Sequence, residues 1–270
     1  MKRIAIHSVP RSGSTWLGEI FNSHPKVSYK YQPLFSYAFK NRLTPNSSLQ
    51  DISLFYNEIN LSKDSFINQD EAREIKRVAK FHKSNVAEYT VYKEVRYHYI
   101  LENLLNKDKD IRIIGLIRNP LAVINSWLNA PKEFRKELGW DEMEEWRFAS
   151  KKNNNQPEEF NGFEKWKEVA NLFQKLEKDY PSQFRIISYS QLIKETEITI
   201  DEIFTFCDIK LSETTKQFIF QSKNNNNNDP YSVFKIKKDD DQWKKTLNNI
   251  IVKEIISDLK NTPLEKYLTE

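Results

Sequence analysis

Apolar positions along the chain fall into short runs and helical stripes. Ile4, Ala5 and Ile6, within Arg3 to Ser8, read as a buried strand. Val9-Pro10-Arg11-Ser12-Gly13-Ser14-Thr15 reads as a turn, and Trp16, Leu17, Ile20 and Phe21 then recur at helical spacing until Pro25 ends the helix. Residues 26–90 are less patterned. Leu49, Ile52, Phe55, Tyr56 and Ile59 mark one helix there. A second is expected from an Asn68 cap, with Asp70 and Glu71 in its first turn and Lys80 and Lys83 near its end. Tyr89 to Val95 predicts a strand, and Ile100 to Leu105 begins a helix. Ile111 to Ile117 is an apolar strand running into Arg118-Asn119-Pro120, then a helix through Leu121, Ile124, Trp127 and Leu128. Phe163, Trp166, Val169, Ala170 and Phe173 stripe a long helix, followed by a strand from Phe184 to Tyr189. Ile198–Phe206, Thr214–Gln221 and Trp243–Leu259 read as helices, and the Asn run at 224–228 as a loop. Strands alternating with helices imply a three-layer α/β fold, a mainly parallel central sheet with helices on both faces. One domain over 1–270 is expected.

Composition narrows the classes. At 39% hydrophobic and 13% aromatic, the 270-residue chain has material for a real core, which excludes general disorder. Lys plus Arg is 42 against Asp plus Glu 38, a net charge of +4 with no dense basic block, which argues against nucleic acid as a partner. Cys207 is the one cysteine, so an internal disulfide is excluded, and its apolar run makes it a buried thiol. The four histidines show no metal-site spacing, and no metal is expected. No apolar run approaches the ~18 residues that span a membrane. The three apolar residues before His7 are too few for a signal-peptide core, so a cytoplasmic location is expected.

The first loop is the chemical signal. Of five glycines, Gly13 and Gly18 fall within the first twenty residues. A strand, a small-residue loop and a helix start make an anion cradle: the first N–H groups of a helix lack partners and its dipole favours negative charge. Gly13 permits close approach, Ser12, Ser14 and Thr15 add hydroxyl donors, and Arg11 adds a fork of charged donors. The G-x-x-x-x-G-K-[ST] pattern is absent, which argues for an anion that needs no metal. The alternative is a plain turn and helix cap.

Val9 to Leu17 resembles the 5′-phosphosulfate loop of sulfotransferases that use 3′-phosphoadenylyl sulfate (PAPS). Cytosolic members read P-K-S-G-T-T-W there. Arg11 in place of Lys looks more like the carbohydrate sulfotransferases, as do Phe21 to Val27 and Tyr31 to Leu34. A second match, Ile113 to Trp127, is similar to the family's 3′-phosphate site, with Arg118 ending a strand and Ser126 eight residues later on a helix. Arg185 to Leu192 resembles the strand whose Tyr, here Tyr189, contacts adenine. Trp16 would stack on the same base. Ile203 to Ile209 resembles the family's F-L-G helix end. Lys237-Lys238 and Trp243-Lys244 resemble the segment that closes over the 3′-phosphate.

The resemblance implies a P-loop NTPase-like sulfotransferase fold and metal-independent transfer of a sulfuryl group from PAPS to a hydroxyl or amine, leaving PAP. Arg11, Ser12, Gly13, Ser14, Thr15, Trp16, Arg118, Ser126, Tyr189, Lys237 and Lys238 would bind the nucleotide. Arg11 and the loop amides would stabilise charge on the bridging oxygen. Lys93 resembles the Lys that touches the sulfuryl group. The usual bases are replaced, a His by Val95 and a Glu by Gln32. Glu94 is favoured over His98 as base. Strand alternation would put Glu94, Arg96 and His98 on one face and Lys93 on the other. His7 is read as packing at a strand end.

Two other readings compete: a P-loop-type kinase using ATP and magnesium, and a catalytically inactive PAP-binding relative. Segments 36–88 and 131–162 are the expected acceptor wall, with Tyr37, Phe39, Phe134, Trp140, Trp146 and Phe148 as possible stacking faces for a carbohydrate. Lys132, Arg135, Lys136 and Arg147 would suit an anionic acceptor, opposed by Glu133, Glu137, Asp141, Glu142, Glu144 and Glu145. The sequence leaves oligomeric state open.

Overall fold

Five parallel strands form one sheet: β1 (Lys2–His7), β2 (Val27–Tyr31), β3 (Tyr89–Glu94), β4 (Arg112–Ile117) and β5 (Phe184–Ser188), in the order β2-β3-β1-β4-β5. The computed structural model describes residues 1–227, 229, 231–236 and 239–269. Lys237 and Lys238, and the last Asn of the 224–228 run, lie outside the described residues.

β1 is central, with Ile4 opposite Val91 on one side and Arg112 on the other. Its alternation divides the core in two. Ala5, with Tyr92 and Ile113, faces a layer that includes Phe55 and Ile59 of the Leu49–Leu61 helix, Trp166 and Phe173 of the Phe163–Asp179 helix and Ile255 of the Asn249–Leu259 helix. Ile4 and Ile6, with Val91 and Ile114, face Leu17 and Phe21 of the Ser14–Ser23 helix and Ile203 and Phe204 of the Thr196–Phe206 helix. Fully burying each such aliphatic or aromatic side chain stabilises the fold by about 1.5–3 kcal/mol before entropy is counted. Two helical layers on an all-parallel sheet are the expected three-layer arrangement.

Several elements differ from the sequence reading. β2, an edge strand of five residues, was not foreseen, because its Ser28 and Lys30 break the apolar run. Asn68 caps no helix. Its side chain accepts a 2.7 Å hydrogen bond from Lys30 Nζ, and the following helix, Asp70–Glu74, starts after a left-handed Gln69. Lys80 and Lys83 lie beyond that helix; Lys83 Nζ donates to the His24 and Val27 carbonyls at 3.2 and 2.9 Å. The C-terminal helix is two helices, Trp243–Thr246 and Asn249–Leu259, because Leu247 is extended and Asn248 accepts from Ile250 N–H at 2.9 Å as a new cap. β3 stops at Glu94, and His98 lies in a short 3₁₀ turn, His98–Ile100, so strand alternation does not relate Glu94, Arg96 and His98. Cys207 is buried, which pushes its thiol up.

Candidate active site

In a parallel sheet every strand delivers its following loop to the same edge, and ligands bind outside that carboxyl edge. Here β1 ends at the 8–13 loop, β3 at Val95 and Arg96, β4 at Arg118, and β5 at Tyr189, the first residue of the Tyr189–Lys194 helix. These ends open into one cleft of about 880 Å³.

Gly13 has φ +87° and precedes the Ser14–Ser23 helix, whose first turn holds no acidic side chain. A Cβ on Gly13 would lie 2.3 Å from Tyr189 Cε2, so the aromatic ring rests directly on the loop backbone. Gly13 O closes the first turn by accepting from Trp16 and Leu17 N–H at 3.0 and 3.3 Å. Ser12 Oγ is buried with no hydrogen-bond partner among the described residues. Arg11, itself at φ +67°, donates from Nε to Ser126 Oγ and from Nη1 to Glu133 Oε1, each at 3.1 Å. Its guanidinium lies 5.3 Å from the Tyr231 ring centre.

Arg118 sits beside this loop. Its Nη1 donates to Arg11 O at 2.5 Å, its Nε donates to Asp240 Oδ2 at 2.7 Å, and its Nη2 donates to Asp240 Oδ1. Burial opposes the Arg118 charge, but Asp240 more than offsets it and holds the guanidinium above its ordinary range. The guanidinium is 4.9 Å from the Tyr189 ring centre. Trp16 Nε1 donates to Ser222 Oγ at 3.0 Å. Arg11, Gly13, Ser14, Thr15, Trp16, Arg118, Ser126 and Tyr189 therefore line one cleft, with Ser12 buried behind the loop.

The other expected residues lie deeper. Lys93, Glu94 and His98 are all buried, and none lines the cleft, whereas Val95 and Arg96 do. Lys93 Nζ is 4.3 Å from the ring centre of Tyr31, a lining residue. Glu94 Oε1 accepts from Leu34 N–H at 2.7 Å, and Oε2 has no hydrogen-bond partner among the described residues. Desolvation raises Glu94 and lowers Lys93, so burial drives both toward their neutral forms. His98 Nδ1 faces His7 Nδ1 at 3.1 Å, and its ring packs 4.4 Å from that of Phe160. Burial lowers His7 to about 3 and His98 well below its usual value, so both rings are neutral. Gln32 Oε1 accepts from Arg96 Nη1 at 3.0 Å.

Tyr231, Asp240 and Arg77 are among the cleft residues that the sequence alone does not point to. Glu133, which in the sequence only opposes the charge of its basic neighbours, pairs here with Arg11. The signal for Asp240 was visible, an acidic run at 239–241 directly after two lysines, but its sign is opposite to what an anion site suggests. The two expected wall segments do reach the cleft, through Phe66, Gln69, Arg77, Lys132, Glu133 and Asn161 among others, but the aromatic residues expected as stacking faces do not line it. Phe134 and Trp146 are core residues, Phe39 and Trp140 pack against that core, and Tyr37 and Phe148 are exposed without lining the cleft. Arg135, Lys136 and Arg147 are held in ion pairs with Glu137, Glu142 and the Glu164–Glu254–Asp258 group.

The loop after β1 and the arginine at the end of the neighbouring strand β4 thus meet in one cleft at the carboxyl edge of a five-stranded parallel sheet, an α/β architecture. The family follows from the sequence: the sulfotransferase domain matches residues 1–262, and the chain belongs to that family. It is a sulfuryl-transfer family, which assigns the chain to the transferases. No curated protein sequence matches. Among solved structures, the chain is similar in fold to mouse sulfotransferase SULT7A1 complexed with PAP (15% identity, 99% of this chain and 87% of that one, TM-score 0.55). It is also similar to retinol dehydratase in a complex with retinol and PAP (15%, 97% and 82%, 0.56). A third is the sulfotransferase domain of the Synechococcus PCC 7002 olefin synthase (16%, 96% and 95%, 0.51). Among the described residues no helix is long and apolar enough to cross a membrane.

Proposed function

We propose that this protein transfers a sulfuryl group from PAPS to a hydroxyl of a polar, carbohydrate-like acceptor. The observation that carries the proposal is the convergence of the 11–16 loop with Arg118 and Ser126 in one cleft. The partnerless buried Ser12 Oγ and the Gly13 backbone that tolerates no side chain fit a phosphate held against the loop. In two of the similar solved structures PAP is the bound nucleotide. Bound here, PAPS would supply a sulfuryl group already activated on its 5′-phosphate.

The loop N–H groups and Arg11 hold the 5′ end and the charge that grows there, Arg118 and Ser126 hold the 3′-phosphate, and Trp16 and Tyr189 flank the base. The acceptor oxygen bonds to sulfur as the S–O bond to the phosphate breaks. The electron pair stays on the phosphate and the hydroxyl proton passes to a carboxylate. Glu133 is the better placed carboxylate: its side chain is 24% accessible and 3.1 Å from Arg11, whereas Glu94 is buried and favoured neutral. Glu94 is the second reading, because it stands beside the family's base position. Gln32, Arg96, Asn129, Lys132, Lys152 and Asn161 line the cleft and favour a hydroxyl-rich or anionic acceptor over an apolar one.

The test is PAP release from PAPS in the presence of a panel of mono- and oligosaccharides, with sterol and phenol controls and no magnesium. Sugar-dependent release is expected. Binding of ATP with magnesium and not of PAP would replace this reading with a kinase. PAP binding without turnover on any acceptor would leave a binding protein.

A further inference from the structure

All three nitrogens of the Arg118 guanidinium are engaged. Nη1 donates to Arg11 O, while Nε and Nη2 form a two-pronged contact with the Asp240 carboxylate. The Nε–Nη2 edge is the fork with which arginine grips a phosphate. The pair is sheltered, with side chains 11% and 15% accessible. Asp240 does not belong to the loop or to the β4 end. It comes from the segment between the Glu213–Asn224 and Trp243–Thr246 helices, and it lines the same cleft. A phosphate gripped by that fork would take the place that Asp240 holds.

We propose that Asp240 is an internal stand-in for the 3′-phosphate, a residue that sets which nucleotides the cleft accepts by competing for Arg118. The proposal rests on the reading of the cleft as a PAP(S) site. A carboxylate and a phosphate offer the same bidentate oxygen pair, but the phosphate carries the larger charge. A nucleotide with a 3′-phosphate therefore displaces Asp240 and has its affinity reduced by the energy of the lost pair. A nucleotide with only a 3′-hydroxyl has nothing to exchange and leaves the Arg118–Asp240 pair closed. Asp240 thus lowers affinity for bisphosphorylated nucleotides alone, and it keeps Arg118 paired when a monophosphate binds.

The experiment is calorimetric titration of the full chain, without magnesium, with adenosine 3′,5′-bisphosphate (PAP) and separately with adenosine 5′-monophosphate. Wild type, Asp240→Asn, Asp240→Ala and Arg118→Ala are compared, each checked for native circular dichroism. Asp240→Asn keeps the shape and removes the charge. It is expected to tighten PAP about tenfold, the value of one charge-assisted pair, and to leave the monophosphate within about twofold. Asp240→Ala should behave alike, and Arg118→Ala should weaken PAP alone. Unchanged or weaker PAP binding in both Asp240 variants overturns the inference while leaving the site intact. Equal tightening of both nucleotides also overturns it, because that is a general charge effect. Absence of PAP binding in wild type and both Asp240 variants overturns the PAP(S) reading itself, and the inference with it.

Discussion

Gly13→Ala should be among the more damaging single-methyl changes in this protein, and its cost divides into two parts. The backbone stands at φ +87°, where an L side chain costs about 1–2 kcal/mol. The added Cβ would also sit 2.3 and 2.8 Å from two Tyr189 ring carbons, far inside contact distance. Tyr189 is 1% accessible and packs in the core with Leu192 and Ile203, so moving its ring off the loop would disturb that packing. Overpacking of that kind adds about 1–3 kcal/mol. The sum is roughly 2–5 kcal/mol. Gly139 provides the internal control: it has φ +72° but nothing within 4 Å of its Cβ position, so Gly139→Ala carries the backbone part alone. Urea unfolding of both variants reads the difference, about 1–3 kcal/mol, as the Tyr189 contact. At about 2 °C of melting temperature per kcal/mol for a chain this long, the two should also separate by several degrees. PAP affinity should fall in Gly13→Ala and not in Gly139→Ala. Equal destabilisation by the two substitutions would refute the argument that Tyr189 is seated on the loop.

Glu133→Gln should lower kcat at least about a hundredfold with any acceptor that turns over, with PAP binding kept. The same loss in Glu94→Gln, and none in Glu133→Gln, would move the base to Glu94. His7 is held to about 3 by desolvation, so the unfolded chain takes up a proton there between about pH 6.5 and 3 that the folded one refuses. His7 therefore costs the wild type stability as pH falls through that window. The free-energy gap between wild type and His7→Gln should shrink by roughly 1 kcal/mol per pH unit there. A gap independent of pH would show that His7 is hydrated. Cys207, 1% accessible with its thiol pushed up by burial, should resist a thiol reagent in the native protein and react fully in urea, and rapid native reaction would contradict its place in the core.

The parts of the fold legible in the sequence are those that local chemistry fixes. β1, β4 and the helices after them announce themselves, because buried strands must be apolar and Pro120 starts a helix well. Gly13 and Arg118 were legible for the same reason: each follows a strand that could be placed. β2 was not, since an edge strand may carry Ser28 and Lys30, and Lys30 finds its partner at Asn68, 38 positions away. The Glu94–Arg96–His98 face failed because the strand ends after Glu94, and strand ends are set by tertiary packing. Glu133 and Asp240 were hidden differently. Their meaning comes from Arg11 and Arg118, each 122 positions away, and no local pattern carries that distance.

The same long-range pairing changes how the cleft's charge should be understood. Four arginines line it, and each is matched to a carboxylate: Arg11 to Glu133, Arg77 to Asp229, Arg96 to Glu159 and Arg118 to Asp240. Such a surface is rich in fixed donors whose arginine charge is matched at contact range, while Lys132, Lys152, Lys223 and Lys235 add positive charge whose pull salt screens beyond a Debye length of about 8 Å. Recognition is then a contest at contact range, in which an incoming phosphate must outbid a carboxylate already in place. Affinity is the difference between two ion pairs rather than the strength of one, and it rewards ligands with the right number of anionic groups at the right separation. A cleft lined with unpaired arginines would hold any polyanion. Under the PAP(S) reading proposed above, this one would hold those whose geometry repays the exchange, and the carboxylates so freed would re-form their pairs when the product leaves.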